Sequence, residues 1–301
     1  MNVLSLFDGI SCGQIALNKA NIPYNNYFAS EIDKNAVKVT QHHYPNTIQL
    51  GDVTKIEFIA SKIDLLIGGS PCQGFSFAGK QLNFDDPRSK LFFEFVRLVN
   101  ECKPKYFLLE NVVMKKEYED IITEYLGVTP IKINSSLVSA QNRVRLYWTN
   151  IPGVGIPEDR GITLNDVLEI DSNDNPAAIR GRRLNKATII GRRLNEAGKR
   201  NDYNKDIPIT QCLEVRATNT NKSNCLTTVE KDNVLTPLPI GRHPNAFKNK
   251  LPFRYYSLLE YERLQTLPEG YTNLVSVSQA KKMIGNAWTV DVIAHIFSYL
   301  K

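Results

Sequence analysis

An α/β fold of the Rossmann-like kind, joined to a second and smaller domain, is what this sequence of 301 residues predicts. Three observations lead there. The first half alternates short apolar runs with segments of helical spacing, the mark of strand-then-helix units in a largely parallel sheet. Its glycine- and acid-bearing turns follow the apolar runs, where an open α/β sheet forms its ligand crevice. From about residue 151 both periodicities give way to a stretch rich in Asn, Arg, Gly and Pro, which marks a boundary.

Taken in order, residues 3–7, 27–30, 63–67 and 106–109 are the strand candidates, with helices expected from about Gly13, Lys34, Arg88 and Glu117. Residues 131–138 and 144–148 flank the polar run SAQN (139–142) and are expected as an antiparallel hairpin at a sheet edge. Beyond the boundary, IRGRRLN (179–185) and IIGRRLN (189–195) form a near-repeat, read as two short strands or loops that present paired arginines. Helical character returns in 257–267 and again in 279–300, the last helix rejoining the first domain. The expected division is 1–165 with 275–301 for the first domain and 166–274 for the second, its variable part at about 151–251.

Composition narrows the function classes. No apolar run approaches the roughly 18 to 20 residues of a membrane span. The N-terminus also lacks the basic, apolar and small-residue pattern of a secretory signal. A soluble, cytoplasmic protein is therefore expected, with monomer as the default. Five cysteines without CxxC spacing fit a reducing compartment and argue against zinc or any other metal. The net charge of +6 is modest but uneven, because Arg180, Arg182, Arg183, Lys186, Arg192, Arg193, Lys199 and Arg200 face only Glu196 between positions 180 and 200. Such a run fits a polyanionic partner or a solvated basic face.

The turns after the strand candidates carry the chemistry. Gly9 and Gly13 allow a ligand close to the backbone at a strand-to-helix turn, but the spacing is not GxGxxG, so a pyrophosphate cofactor is not the best reading. Glu31, 22 residues beyond Gly9, stands where a carboxylate accepts from ribose hydroxyls, and Asp52 suits an adenine amino group. Together they fit a nucleoside cofactor without a diphosphate. Cys72 follows Gly68, Gly69 and Pro71 and precedes Gly74 and Gly79. A thiol with a pKa near ~8.5 is only partly ionised at neutral pH, yet its thiolate is an effective nucleophile. Cytosine becomes its electrophile at carbon 6 if ring nitrogen 3 is protonated or strongly hydrogen bonded, and Glu110 is the candidate acid. Read singly, Cys72 is a small buried residue and Glu110 a helix cap.

The segments LFDGISCGQIAL (6–17), SEID (30–33), GDV (51–53), GGSPCQGFSFAGK (68–80), LLENV (108–112), SAQNRVRLYWTN (139–150), RYYSLLEYERLQTLPEGY (254–271) and KMIGNAW (282–288) occur in one order. In that order they resemble the cytosine-5 DNA methyltransferases over nearly the whole chain, apart from 151–251. The resemblance implies a methyltransferase sheet that binds S-adenosylmethionine, a target-recognition domain, and double-stranded DNA as partner in a bacterial or phage-infected cell. It implies that Cys72 is the covalent nucleophile, Glu110 the acid at ring nitrogen 3, and Arg143 and Arg145 the arginine pair, one of which steadies the cytosine. Phe7, Asp8, Gly9, Gly13, Glu31, Ile32, Asp52, Val53, Pro71, Asn286 and Trp288 match positions around the cofactor. Gln73, Ser76 and Lys80 match the loop that the family closes over DNA, and Arg182, Arg183, Arg192 and Arg193 of the near-repeat are expected to contact DNA, phosphates more than bases.

In the cycle so implied, cytosine is flipped out, Cys72 adds to carbon 6, carbon 5 takes the methyl group, and an ordered water removes the carbon 5 proton. Two motifs depart from the commoner pattern: the first reads FDGxxxG, and the last ends in GNAW where many members carry a serine or a small apolar residue. A tRNA cytosine methyltransferase, a silent DNA-binding protein of the same fold, and a nicotinamide oxidoreductase are the rival readings. The last leaves the PCQ loop and GNAW without a purpose. A restriction partner, a phage self-protection system and a solitary enzyme share this sequence pattern.

Overall fold

The computed structural model describes residues 1–57, 61–70, 87–169, 184–215 and 221–300. One sheet holds β1 (Asn2–Leu6), β2 (Asn26–Ser30), β3 (Ile48–Gln49), β4 (Leu65–Gly69), β5 (Tyr106–Val112), β6 (Ile131–Asn134) and β7 (Val144–Thr149). Their order is β3-β2-β1-β4-β5-β7-β6. The first five are mutually parallel, and β7 runs antiparallel to both β5 and the edge strand β6. The helices α1 (Cys12–Lys19), α2 (Lys34–His43), α3 (Pro87–Cys102) and α4 (Lys116–Leu126) alternate with these strands.

The period-two pleat sorts each apolar strand between two cores. Val3, Leu65, Ile67 and Leu108 point into one cluster; Leu4, Leu6, Leu66, Phe107 and Leu109 point into the other. A sheet buried on both faces needs helices on both, which is why these strands read as continuous apolar runs. Strand order reverses between β1 and β4, and the crevice beyond their carboxyl ends is the place this topology leaves for a ligand.

The strand and helix expectations hold with shifts that have physical causes. β5 runs on through Glu110 to Val112 because β7 pairs with it that far, Glu110 opposite Tyr147 and Val112 opposite Arg145. Phe7 takes a positive φ of 57° and ends β1 one residue early. The hairpin forms, but β6 stops at Asn134, whose side chain accepts from Ser136 and starts a short 3-10 turn. The SAQN run is no solvent loop: Ser139, Ala140 and Gln141 are buried, and Ser139 Oγ and Gln141 Nε2 both donate to the Leu264 carbonyl. The single helix expected over 279–300 is two, with a break at Ala287.

A second, antiparallel sheet holds β8 (Asn185–Arg192), β9 (Thr210–Val215), β10 (Val234–Thr236), β11 (Gly241–His243) and β12 (Arg254–Tyr255), in the order β11-β9-β8-β10-β12. Ala187, Ile189, Leu213, Val215, Val234 and Ala246 form its core. The remaining helices are α5 (Leu164–Val167), α6 (Leu258–Leu264), α7 (Val277–Asn286) and α8 (Val290–Phe297). Tyr261 and Leu264 of α6 join the same cluster as Val3 and Ile15, so α6, which the expected division put in the second domain, packs with the first sheet. The buried pair Arg254–Glu260 ties β12 to α6 through two hydrogen bonds, of 2.7 and 2.6 Å, and Glu260 also closes a capping box with Ser257. Lys19 on α1 meets Asp291 on α8 at 2.7 Å, so the last helix does return to the first.

Where α7 meets the link between β9 and β10, a Cβ on Gly285 would lie 2.5 Å from the Thr227 carbonyl oxygen. Gly→Ala inside a helix ordinarily gains close to ~1 kcal/mol. Gly285→Ala is expected to do the opposite and cost about 2 to 3 kcal/mol through this backbone clash, read as a lowered urea midpoint at unchanged slope.

Candidate active site

A cavity of about 380 Å³ opens at the strand-order reversal, lined by the turns after β1 and β2, the ends of β4 and β5, and the last turn of α7 with the segment after it. The first turn is a tight coil in which Phe7, Gly9 and Ser11 all have positive φ, of 57°, 59° and 60°. That sequence of left-handed residues is costly for Phe and Ser and is kept where the backbone must wrap a ligand. The space a Cβ would take on Gly9 is open. Ser11 is the N-cap of α1 and makes no side-chain cap bond, so that helix start is turned to the cavity with its side-chain cap unused.

Glu31 holds the second turn. Its Oε2 accepts from Gly9 N at 2.8 Å and its Oε1 from the amides of Ile32 and Asp33, each at 2.8 Å. Both oxygens are thereby aimed, with lone pairs to spare for ribose hydroxyls. Asp8 accepts from Ser11 Oγ at 2.7 Å and from the Tyr27 hydroxyl at 2.9 Å. Burial pushes its carboxyl up to about 6, against the pull of hydrogen bonds from Ser5, Ser11 and Tyr27 and with a further push from Glu31.

At the other end of the cavity stands Glu110. Arg145 Nε lies 2.9 Å from its Oε1, and Trp288 Nε1 donates to its Oε2 at 3.1 Å. Gly69 lies opposite on β4, and a Cβ there would sit 2.8 Å from Trp288 Nε1 and 3.0 Å from Glu110 Oε2. Glycine at 69 thus makes room for close packing, beyond the backbone freedom read from the sequence. The next residue, Ser70, accepts through Oγ from Asn111 Nδ2 at 3.1 Å, which joins the ends of β4 and β5.

Of the residues singled out in the sequence, Phe7, Asp8, Gly9, Glu31, Glu110, Arg145, Asn286 and Trp288 line this one cavity. Ile32 is adjacent and 75 % exposed. Gly13 lies one residue inside α1, where it lets Ile67 and the Tyr27 hydroxyl approach. Asp52 and Val53 do not line it: Asp52 caps its own 3-10 turn by accepting from Thr54, and Val53 is buried in the core. Arg143 does not line it either. Its guanidinium is buried and donates to the carbonyls of Leu226, Gly285 and Ala287 at 3.1, 3.3 and 3.0 Å, so it fastens the segment that carries Trp288. Pro71, Cys72, Gln73, Ser76, Lys80, Arg182 and Arg183 lie outside the described residues.

Arg192 ends β8 and is tied to Glu214, which Arg242 also grips, both at 3.0 Å; Arg193 follows it, its backbone amide donating to Asp202. Arg192, Arg242 and Arg200 are all paired, and they differ in exposure: the Arg192 side chain is 12 % exposed, Arg242 on the same Glu214 is 33 %, and Arg200, paired with Asp202, is 56 %. The sequence reading missed Asp33, Met283 and Lys282, although all three stand inside or beside quoted motifs.

The cavity can be tested for the cofactor class. Four carboxylates (Asp8, Glu31, Asp33, Glu110) and two cations (Arg145, Lys282) line it, and Arg145 is already matched by Glu110. An acidic wall with apolar Phe7, Ile10 and Met283 suits a cationic nucleoside and repels a diphosphate. Among the described residues no group of three or more His, Cys, Asp or Glu is arranged to hold a metal ion, and no helix is long and apolar enough to cross a membrane.

Comparison with known proteins gives the same direction. The family described as C-5 cytosine-specific DNA methylase matches residues 1–301. An orphan methyltransferase of Bacillus phage rho11s is 32% identical over 197 residues, covering 61% of this chain and 38% of the phage protein. A type II methyltransferase of Lactococcus lactis subsp. cremoris is 30% identical over 316 residues, covering 97% of this chain and 75% of that protein. The chain thus spans well under half the length of the first relative and three quarters of the second. Among solved structures, the S. pombe Dnmt2 methyltransferase superposes with a TM-score of 0.69 at 20% identity, covering 100% of this chain and 98% of that one, a likeness of fold.

Because Asp8 holds its proton up to about pH 6 in the fold and only to its ordinary value of 3.8 when unfolded, the folded state binds more protons between those values. Stability should therefore fall as pH rises through that window. Asp8→Asn removes this loss: in urea melts of the ligand-free protein, the variant should gain roughly 2 kcal/mol relative to the parent between pH 4 and pH 7. A difference that stays flat with pH contradicts the assignment.

Proposed function

The chain belongs to the C-5 cytosine-specific DNA methylase family, and on that premise we propose that it is a DNA (cytosine-5-)-methyltransferase that uses S-adenosylmethionine and acts on a cytosine flipped out of duplex DNA. The observation that carries the reading is the Glu110 carboxyl in the cavity wall, gripped by Arg145 at 2.9 Å and Trp288 at 3.1 Å, with Ser70 beside it two residues before Cys72. An acid fixed at a ligand-sized cavity, with a cysteine three positions beyond the neighbouring strand end, is the pair that carbon 6 addition to cytosine needs.

Cys72, as thiolate, would add to carbon 6 of the base. Glu110 would hold a proton at ring nitrogen 3, so that the electron pair displaced toward the ring is stabilised and carbon 5 becomes nucleophilic. Arg145 would fix the orientation of Glu110 and exclude water from its inner edge. Glu31 and Gly9 would bind a ribose, Asp8 and the start of α1 the amino-acid end, and Ile32 and Trp288 the apolar faces of the cofactor. When bound, S-adenosylmethionine supplies the electrophilic methyl group that carbon 5 accepts. Asp52, expected at the adenine amino group, fits less well, since its carboxylate already serves Thr54. Arg200 and Arg242 on the second sheet are the better-exposed cations for DNA phosphates.

Incubation with tritiated S-adenosylmethionine and mixed-sequence duplex DNA, with tRNA in parallel and bisulfite sequencing of the product, tests the reading. Label is expected in duplex DNA, to vanish in Cys72→Ala and to fall about 100-fold or more in Glu110→Gln. Label in tRNA alone moves the substrate to RNA, and undiminished label in Cys72→Ala overturns the mechanism.

A further inference from the structure

The indole of Trp288 is the least expected member of the site. It stands in the break between α7 and α8. Its Nε1 donates to Glu110 Oε2 at 3.1 Å while Arg145 Nε holds Oε1 at 2.9 Å. Both oxygens of the one carboxyl are thus pinned from opposite sides, by a cation on β7 and by a neutral donor on the C-terminal segment. The fit is close enough that a Cβ at 69 would push the indole or the carboxyl out of place. The segment is itself fastened: the Ala287 carbonyl accepts from Arg143 and from Gln265 Nε2, each at 3.0 Å, and Thr289 Oγ1 donates to Gln265 Oε1 at 2.8 Å. Fixing both chain neighbours of an indole, one through its carbonyl and one through its hydroxyl, is more anchoring than a mere apolar wall requires.

We propose that Trp288 is a positioning residue for Glu110: its N–H holds Oε2 as an acceptor, fixes the plane of the carboxyl, and so sets which edge meets ring nitrogen 3 of the cytosine. An indole N–H is a donor only, so the oxygen it meets is fixed as an acceptor. The other groups facing this carboxyl are Arg145 and Tyr147 on β7, with Asp8, Glu31, Asp33 and Lys282 around the same cavity. Arg143 acts on Trp288 from behind, through the Ala287 carbonyl. The kinetic consequence rests on the cytosine-5 reading above; the hydrogen-bonded pair itself does not.

The sequence offers a direct probe, since it contains two tryptophans. The other, Trp148, donates to Thr123 Oγ1 at 3.0 Å within the core. A nitrogen-15 spectrum of the full chain therefore has two indole N–H signals, and Trp288→Phe identifies the one that belongs to the site. That signal is expected to shift in Glu110→Gln and to stay in place in Asp8→Asn, which separates Glu110 from the neighbouring carboxyl. In the methylation assay Trp288→Phe is expected to lower kcat about tenfold, with KM for duplex DNA and for S-adenosylmethionine each within about twofold. A Trp288 signal unchanged by Glu110→Gln overturns the proposal. So does a variant whose only defect is a raised KM for S-adenosylmethionine, since Trp288 would then be a cofactor wall alone. A signal that shifts with Glu110→Gln in a protein that methylates no DNA leaves the pair standing and defeats the functional reading instead.

Discussion

A carboxyl withdrawn from water at the end of a buried strand is the constraint around which this structure is arranged. Glu110 sits on β5 with both oxygens pinned, and burying it without partners would cost several kcal/mol. Each partner arrives by a different route. Arg145 comes from β7, which is the reason β7 runs antiparallel to β5 far enough to put Arg145 opposite Val112. Trp288 comes from the far end of the chain, which is the reason α7 must stop where it does and hand over to α8. Gly69 is the complement of both, since any side chain there would occupy the space in which indole and carboxyl meet.

The two arginines of the QNRVR segment thereby divide the labour. Arg145 meets the acid directly, and Arg143 fastens the backbone that presents the indole. Sequence spacing treats them as equals because residues two apart share a face of a strand. They differ because Arg143 precedes β7 and turns inward, toward the carbonyls of Leu226, Gly285 and Ala287. The electrostatics of the cavity follow the same economy, with an acidic half around Asp8, Glu31 and Asp33 and a neutralised ion pair at Glu110 and Arg145.

Much of this was legible in the sequence, for identifiable reasons. The parallel strands announce themselves because burial on both faces makes them continuous apolar runs, and the turns after them expose their glycines and acids. Glu31 and Glu110 stand out in that way, whereas Asn286 and Trp288 come only through the resemblance of the segment KMIGNAW. What escaped was set by partners distant in sequence. The extension of β5 through Glu110 depends on pairing with β7, and the burial of the polar SAQN run depends on carbonyls of α6. The near-repeat suggested arginines that contact DNA, and charge counting along a chain does not see Glu214, which arrives from the neighbouring strand and pairs with both Arg192 and Arg242. Asp52 shows the opposite case, since its partner Thr54 is two residues away and the contact is a local cap made through one carboxylate oxygen.

The central claim is that Glu110, held in this clamp, prepares a cytosine for covalent attack by Cys72. Duplex DNA in which the target cytosine carries fluorine at carbon 5 tests it most directly, because the fluorine cannot be removed as a proton and the adduct cannot resolve. With S-adenosylmethionine present, mass spectrometry of the digested complex should find the base linked to Cys72. The link should be absent in Cys72→Ala and formed at least about tenfold more slowly in Glu110→Gln. A base attached to any other residue, or a link to Cys72 that forms as fast without the Glu110 carboxyl, would contradict the account.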